Sequence, residues 1–364
     1  MADAPMIDFA HLPHPAPVPS ETRDEALADP GFGSIFTDHM VTIAFDAARV
    51  ERGEDGWHDA QLRPREAIPL DPAAAVLHYA QEIFEGMKAY KWDNGKIVIF
   101  RPEKNAERAA RGCSRLSMPK IPANLFLDAA KKVVRDNADY IPNTKQGSLY
   151  VRPIIFGSGA GLGVAPSTEY TLVVYVSPVG PYFKGGLSPI RLIVTNDYHR
   201  APLKGTGGVK AIGNYVPGML PSGLAKKQGY AEVIYLDAAE EKYIEEVGAA
   251  NFFAIIDGKV ITPELTGSIL PGVTRESVLY LAHEKMGLNI EERRISVDEA
   301  LTADEVFCAG TAAIIAPIGS INYQGKEHIF SEGMVGRITK ELYDALTAIQ
   351  FGTGKDEFQW MTEI

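Results

Sequence analysis

Cysteine is nearly absent from this chain: only Cys113 and Cys308 occur among its 364 residues. Two thiols so far apart in sequence indicate neither a disulfide framework nor a cysteine-based metal site. Long apolar runs are also missing, since no stretch reaches the roughly 18 residues that a membrane-spanning helix requires. The chain begins with acids and prolines, where a signal peptide would have a basic end and an apolar run. These absences favour a cytoplasmic protein with no membrane partner.

An excess of positive charge is lacking as well. The formal net charge is −11, whereas binding to nucleic acid requires a basic surface. There is no Walker A motif, and the glycine-rich stretch 157–167 has neither the spacing nor the following helix of a dinucleotide-binding loop. The eight histidines are scattered and form no His-Glu-x-x-His zinc motif. We therefore expect no nucleic acid partner and no metal.

The length and the residue pattern predict two α/β domains. A chain of 364 residues is too long for one ordinary hydrophobic core. The segment 180–189 is dense in glycine and proline and separates two β-rich regions, so we interpret it as the interdomain connection. This predicts a smaller N-terminal domain over 1–179 and a larger C-terminal domain over 190–364, each with mixed sheets flanked by helices.

Local signals predict several elements in detail. Residues 1 to about 30 are rich in proline, alanine and acids and are expected to form an extended arm. The Asn94-Gly95 pair between two β-type runs predicts a hairpin. Asp71 followed by Pro72 predicts the start of a helix that reaches Phe84. Further helices are expected over 103–116, 124–138, 217–228, 274–286 and 334–349.

One lysine stands in a setting suited to covalent chemistry. Lys210 lies in the stretch RAPLKGTGGVKAIGNY, among small residues that leave room for a planar ligand. A Schiff-base lysine must lose its proton near neutral pH, which a desolvated and uncrowded site favours. The alternative is a flexible surface loop with a solvated lysine.

Other residues could hold a cofactor. Glu246 borders an apolar strand, where a carboxylate is costly unless it is paired. A pyridinium nitrogen would serve as its partner, and the alternative is an exposed acid at a strand end. The turn before Val273 and Thr274 starts a helix whose amides could bind phosphate. Arg108 could supply a cation, unless it belongs to a solvated helix face, and Thr311 could bind a second anion.

Taken together, these motifs resemble those of the branched-chain amino acid aminotransferases, which are fold-type IV pyridoxal-phosphate enzymes. The resemblance covers nearly the whole chain, through FTDHMVTIAF, LHYAQEIFEGMKAY, FRPEKNAER, LYVRP, GPYFKGG, KAIGNY, EEVGAANFF, ILPGVTR and CAGTAA. It implies transamination between branched-chain L-amino acids and 2-oxoglutarate, with pyridoxal 5′-phosphate as the cofactor and a homodimer as the assembly. The closest alternatives within the class are a D-amino acid aminotransferase and an aminodeoxychorismate lyase. From a different class, the alternative is a non-enzymatic binder of phosphate ligands.

The resemblance also implies a role for each matching residue. Lys210 would be the catalytic lysine that binds the cofactor covalently, and Glu246 would pair with the pyridine nitrogen. Tyr215 would contact the ring hydroxyl, Leu270 the ring, and the phosphate would be held by Arg108, Val273, Thr274 and Thr311. Arg152 would bind the distal carboxylate of glutamate, and Thr311 and Ala312 the α-carboxylate. The remaining pocket residues would be Phe36, Tyr79, Phe84, Tyr150, Leu162, Val164 and Tyr182.

The chain departs from the family pattern in three places. Ala249 and Ala250 replace a common Thr-Met pair, so a hydroxyl near the substrate is missing. Ile212 stands where a glycine is common. Ala313 and Ala316 replace the Cys-x-x-Cys pair of some animal relatives, which excludes a thiol switch there. The sequence does not decide the preference among leucine, isoleucine and valine.

Overall fold

The computed structural model describes residues 7–142, 147–183 and 185–364, and it divides the chain into two compact units. Unit 1 comprises Met1–Pro181, Lys210–Ile212 and Asp356–Ile364, and unit 2 comprises Tyr182–Val209 and Gly213–Lys355. This division differs from two continuous domains because the lysine segment and the C-terminal residues group with unit 1. Parts of two predicted segments, residues 1–6 of the arm and Lys184 of the connection, lie outside the described residues.

Strands outnumber helices in the described first half of the chain. Its elements are β1 (Ala10–His11), α1 (Ser20–Leu27), β2 (His39–Asp46), α2 (Ala47–Glu51), β3 (Trp57–Pro64), α3 (Ala75–Tyr79), β4 (Glu82–Phe84), β5 (Met87–Lys91), β6 (Ile97–Phe100), α4 (Pro102–Arg115), α5 (Ala123–Asp136), β7 (Ser148–Gly157) and β8 (Glu169–Val179). The predicted Asn-Gly hairpin is confirmed as β5 and β6, and the two helices predicted after it are confirmed as α4 and α5.

The second half continues the alternation of strands and helices. Its elements are β9 (Ile190–Thr195), α6 (Val216–Lys227), β10 (Glu232–Leu236), β11 (Ile244–Val247), β12 (Ala250–Ile256), β13 (Lys259–Thr262), α7 (Val273–Tyr280), β14 (Ile290–Glu292), α8 (Val297–Ala300), β15 (Glu305–Gly310), β16 (Ile314–Tyr323), β17 (Lys326–Ile329), α9 (Arg337–Gln350) and β18 (Met361–Glu363). A π-helical turn, Leu281–Lys285, continues α7. The predicted helix ending at Gly229 is confirmed as α6, and this glycine has the positive φ of a C-cap.

Each unit is built on one large mixed sheet. In unit 1 the strand order is β1-β3-β2-β8-β7-β5-β6-β18, with β4 paired to β7. In unit 2 the order is β11-β10-β9-β16-β15-β12-β13-β14, and an additional pairing of β11 with β12 closes six strands into a ring. Parallel and antiparallel pairs occur in both sheets. The mixed α/β architecture expected from the sequence is therefore confirmed.

Separate apolar cores stabilise the two sheets. In unit 1, α4 and α5 bury one face of the sheet, with Ala109, Phe126 and Val133 among the buried side chains. In unit 2 the core fills the inside of the ring, where Phe252 and Ile318 are fully buried. Because the core of unit 1 covers only one face, the side chains of β7 alternate between full and partial burial. The partly buried face of β7 is the one that carries Tyr150 and Arg152.

Two sequence predictions about local structure are wrong. The helix predicted from Pro72 to Phe84 covers only Ala75–Tyr79. It ends there because Ala80 adopts a left-handed conformation and the following residues pair as β4 with β7. The tertiary pairing overrides the helical pattern. The N-terminal arm is not wholly extended either, since Ser20–Leu27 forms a helix. No helix of the described residues is long and apolar enough to cross a membrane.

Candidate active site

Lys210 is fixed to an edge strand of unit 1. The Lys210 carbonyl accepts a hydrogen bond from the Phe84 amide at 3.1 Å, and Ala211 forms a β-bridge with Ile83. The Lys210 Nζ atom lies 4.5 Å from the centroid of the Phe84 ring. The lysine is therefore held in place against an aromatic wall, which contradicts the alternative of a flexible, solvated loop.

Arg152 reaches the same aromatic ring from the neighbouring strand. Its guanidinium carbon lies 4.8 Å from the centroid of Phe84 and 5.2 Å from that of Tyr150. Its Nη2 donates to the Tyr150 hydroxyl at 3.3 Å. Register explains the arrangement, because Phe84 pairs with Ile154 and directly opposed residues point to one face of a sheet. The prediction that Tyr150 and Arg152 share a strand face is confirmed.

Two ionisable groups on this face were missed by the sequence analysis. Glu82 lies two residues before Phe84 and therefore points to the same side of β4. Burial raises the pKa of Glu82 to about 7, and the charge of Arg152 opposes the rise. Lys88 lies directly opposite Tyr150, and burial lowers its pKa to about 8. Both lie in the LHYAQEIFEGMKAY segment, but the alternation along a single strand does not show which of its two faces carries the site.

A glycine makes room for the tyrosine on this face. A Cβ atom at Gly86 would overlap the Tyr150 hydroxyl, so a larger residue here would displace the Tyr150 ring. The lack of a side chain at Gly86 is therefore a condition for the Tyr150–Arg152 pair.

Other predicted pocket residues of unit 1 lie in more exposed positions. The Phe36 ring packs under the guanidinium of Arg65, at 4.0 Å, and lies 6.2 Å from the Tyr175 ring. The Tyr79 hydroxyl donates to the Leu162 carbonyl at 2.5 Å. The side chains of Leu162 and Val164, by contrast, are 76% and 88% exposed. The Tyr79 side chain thus contacts the Leu162 backbone, whereas the side chains of Leu162 and Val164 are exposed.

Arg108 is buried rather than solvated. Its Nε and Nη2 donate to the two carboxylate oxygens of Glu85 at 2.8 and 2.6 Å, and Asn105 donates to the same carboxylate at 2.7 Å. The alternative of a solvated helix face is therefore wrong. The two bonds to Glu85 fix the orientation of the guanidinium. Its role toward phosphate stays a prediction.

In unit 2, Glu246 is a buried and hydrogen-bonded carboxylate. It is 2% exposed, which contradicts the alternative of an exposed acid at a strand end. Arg200 lies 2.6 Å from Oε2, and the Leu270 amide donates to the same oxygen at 3.4 Å. Asn251 donates to Oε1 at 3.1 Å and to the Leu270 carbonyl at 2.9 Å. These donors favour the ionised form of the carboxylate.

The predicted anion-binding residues of unit 2 lie at helix and strand ends. α7 begins at Val273, and no side chain caps it, so its first amides point to the helix N-terminus. Thr311 and Ala312 form the turn between β15 and β16. Because Ala309 pairs with Asn251, this turn lies at the same sheet end as the Gly248-Ala249 turn.

The other predicted residues of unit 2 are Tyr215 and Tyr182. Tyr215 precedes α6 and lines a cavity of about 250 Å³ together with Arg200, Tyr235 and Ala249. Ala249 lines this cavity with a methyl group and without a hydroxyl. Tyr182 is 55% exposed and packs against the Phe183 ring. Among the described residues, no cluster of histidine, cysteine and acidic side chains could hold a metal ion.

Comparison with known proteins gives a consistent result. The family model described as Amino-transferase class IV matches residues 82–321. The branched-chain-amino-acid aminotransferase of Mycolicibacterium smegmatis is 41% identical, over 98% of each chain. The structure of the Escherichia coli branched-chain amino acid aminotransferase aligns with a TM-score of 0.73 at 30% identity, covering 82% of this chain and 95% of the other.

A second solved structure carries a relevant ligand. It is the branched-chain amino acid aminotransferase from the thermophilic archaeon Thermoproteus uzoniensis, solved with norvaline, an amino acid with an apolar side chain. It aligns with a TM-score of 0.74 at 26% identity, and the alignment covers 89% of this chain and 99% of that one.

Proposed function

This chain belongs to the class IV aminotransferases, among the branched-chain enzymes, and we propose that it transfers amino groups between branched-chain L-amino acids and 2-oxoglutarate. The cofactor of the proposal is pyridoxal 5′-phosphate. One observation carries it: the amine of Lys210 and the guanidinium of Arg152 both lie within 5 Å of the Phe84 ring centroid, at 4.5 and 4.8 Å. A nucleophilic amine and a carboxylate-binding cation thus meet at one apolar ring.

The donor set of unit 2 fits a phosphorylated pyridine. α7 begins without a side-chain cap, and uncapped amides at a helix start suit a phosphate. Glu246 is held ionised by its ion pair with Arg200 and by hydrogen bonds from Asn251 and Leu270, and a carboxylate of this kind suits a protonated ring nitrogen. The buried Leu270 side chain is expected to lie against the ring, and Tyr215 to bond the ring hydroxyl. Thr274 and Thr311 are the other expected phosphate contacts of this unit, and Arg108 of unit 1 is expected to supply the cation.

The bound cofactor supplies an electron sink for the carbanion that forms when the substrate loses its α-proton. Lys210 would hold the cofactor through its Nζ amine. Once free, the same amine would act as the general base that removes the substrate's α-proton and delivers it to a second carbon. Because one amine serves both positions, it must stay within hydrogen-bonding distance of each. Phe84 limits the positions open to the Lys210 side chain, which favours this proton transfer.

Arg152 and its neighbours explain how one pocket accepts two kinds of side chain. Leucine, isoleucine and valine require apolar walls, and each buried methylene contributes about 0.8 kcal/mol. The rings of Phe84, Tyr150 and Phe36 provide such walls. Glutamate requires a cation for its distal carboxylate, and Arg152 provides it beside the Tyr150 hydroxyl. Thr311 and Ala312 are expected to bind the α-carboxylate of both substrates.

A homodimer in the cytoplasm is part of the proposal. Leu162 and Val164 are 76% and 88% exposed in the single chain, and a surface loop with such apolar side chains favours a covering partner. We expect a second copy of the chain to cover this loop and Tyr182. The Leu162 loop would then border the pocket of that second copy.

The function is tested by a transamination assay with L-leucine and D-leucine, together with a visible absorbance spectrum of the protein. We expect transamination of L-leucine but not of D-leucine, and a visible absorbance band that borohydride abolishes. Lys210→Ala should lose the band and at least about a thousandfold in activity. Lys226→Ala is the matched control, since Lys226 lies exposed on α6 and should behave like the wild type. Activity with D-leucine alone would indicate a D-amino acid enzyme, and no band at all would indicate a mere binder.

A further inference from the structure

Arg200 lies at the meeting point of three segments of unit 2. It is 8% exposed, and its Nη2 atom lies 2.6 Å from Glu246 Oε2. The same nitrogen donates to the Gly207 carbonyl at 3.2 Å and to the Ser268 carbonyl. Gly207 belongs to the glycine-rich stretch that leads to the lysine, and Ser268 to the segment that leads to Leu270. One guanidinium thus connects the carboxylate strand with both loops.

The close packing of the two loops depends on Gly207. A Cβ atom at Gly207 would overlap the Ser268 carbonyl and backbone, so no other residue fits there without moving a loop. Gly207 and Ser268 are both buried, and a buried carbonyl oxygen without a donor is costly. The Arg200 guanidinium is that donor for the carbonyls of Gly207 and Ser268.

Arg200 forms an ion pair with only one of two adjacent buried carboxylates. Glu245 is 7% exposed and Glu246 is 2% exposed. Arg200 pairs directly with Glu246, whereas Glu245 accepts a hydrogen bond from the Ser268 hydroxyl. Burial raises the pKa of Glu245, with smaller effects from Ser268, Arg200, Asp237 and His199. Because a buried carboxylate stays ionised only when it is paired, the guanidinium places the negative charge on Glu246.

We propose that Arg200 is a positioning residue of the active site, which keeps Glu246 ionised and oriented and binds the lysine-bearing stretch to the same carboxylate. The inference rests on the proposed function, in which Glu246 faces the ring nitrogen of the cofactor. Arg200 acts through Glu246 and needs no contact with the substrate.

The test uses the cofactor-loaded protein and three variants. Arg200→Gln removes the charge, Arg200→Lys keeps it, and Arg293→Gln removes an equal charge from the Arg293 ion pairs with Glu291 and Glu299. We expect Arg200→Gln to raise the apparent pKa of the visible absorbance change by at least about one unit, because a nearby cation is lost. Arg200→Lys should lie near the wild type, and Arg293→Gln should match it. Equal titration curves for Arg200→Gln and wild type would overturn the proposal.

A second measurement needs no cofactor. In apo Arg200→Gln, the buried Glu246 without its cation binds a proton more tightly than in the unfolded chain, so the stability of this variant falls as the pH rises. Its thermal unfolding midpoint should lie furthest below that of the wild type near pH 8 and approach it near pH 5. Arg200→Gln/Glu246→Gln should recover most of the loss at pH 8, even if Arg200→Gln does not fold. No recovery would show that Arg200 does not act through Glu246. If the protein shows no visible absorbance band but the double variant recovers its stability at pH 8, the cofactor assignment is refuted and the Arg200–Glu246 coupling stands.

Discussion

The Nζ atom of Lys210 lies 4.5 Å from the centroid of the Phe84 ring. The Lys210 carbonyl also accepts a hydrogen bond from the Phe84 amide, so the backbone of the lysine is held to the strand that carries its aromatic neighbour. A nucleophile held in this way loses little conformational freedom during the reaction.

Removal of the Phe84 ring should therefore impair both half-reactions. We expect Phe84→Leu to lower kcat by about tenfold with leucine and with glutamate, since about 1.4 kcal/mol of positioning corresponds to one factor of ten. Steady-state rates with both substrates measure this. Stability should change little because Phe84 is only partly buried. An altered KM with unchanged kcat would assign Phe84 to substrate binding alone.

Charge removal at Arg152 should separate the two substrates. We expect Arg152→Met to weaken glutamate and 2-oxoglutarate by about a hundredfold, because the distal carboxylate loses its cation. Leucine should lose less than about threefold, because methionine preserves an apolar stem over Phe84 and Tyr150. The control is Tyr150→Phe, which removes only the 3.3 Å hydrogen bond. Equal losses for leucine and glutamate would refute the assignment of Arg152.

Glu82 should make stability depend on pH. Its pKa is raised by burial from 4.5 to about 7, so the folded state binds a proton that the unfolded chain releases above pH 4.5. The associated stability is present below that value and is lost as the pH rises through about 7. We expect Glu82→Gln to be more stable than the wild type by about 1–2 kcal/mol at pH 8, after allowance for solvent screening.

Urea unfolding at pH 5 and pH 8 measures the effect of Glu82→Gln. Glu169→Gln is the control, since Glu169 is exposed on β8. A gain at pH 5 as large as that at pH 8 would show that the carboxylate charge is not the cause.

The two thiols should be unreactive in the native protein. Cys113 and Cys308 are both buried, and burial raises the pKa of each to about 12. The nucleophilic thiolate is therefore scarce near neutral pH. We expect no reaction with a disulfide reagent at pH 8 in the native state and two thiols per chain in denaturant. Fast native labelling would contradict the described burial.

The exposed loop around Val164 should govern association. We expect the wild type to have twice the chain mass in solution, and Val164→Asp to shift the equilibrium toward the monomer, because a charge in an apolar interface is costly. Light scattering on a sizing column measures the mass. Glu169→Gln again serves as the control for a substitution at the surface. A monomeric wild type at high concentration would end the homodimer proposal.

Local signals predicted the elements that depend on neighbours in sequence. The Asn94-Gly95 hairpin and the helices α4, α5 and α6 were confirmed because turn chemistry and helical periodicity act over a few residues. Prediction failed at 80–84, where pairing with β7 replaced the expected helix. The motifs also identified Lys210, Arg152 and Glu246 as candidates, although they carried no signal for Arg200 as the partner of Glu246.

By itself, the sequence determined the family, the α/β class and the chemically suited side chains, because these depend on residue types and their order along the chain. Only the tertiary structure decided which partner each charged group has: Glu85 for Arg108, Arg200 for Glu246 and the Phe84 ring for Lys210. Such pairs join residues between 23 and 126 positions apart in the chain. Strand register and burial bring them together, and no local pattern encodes either one.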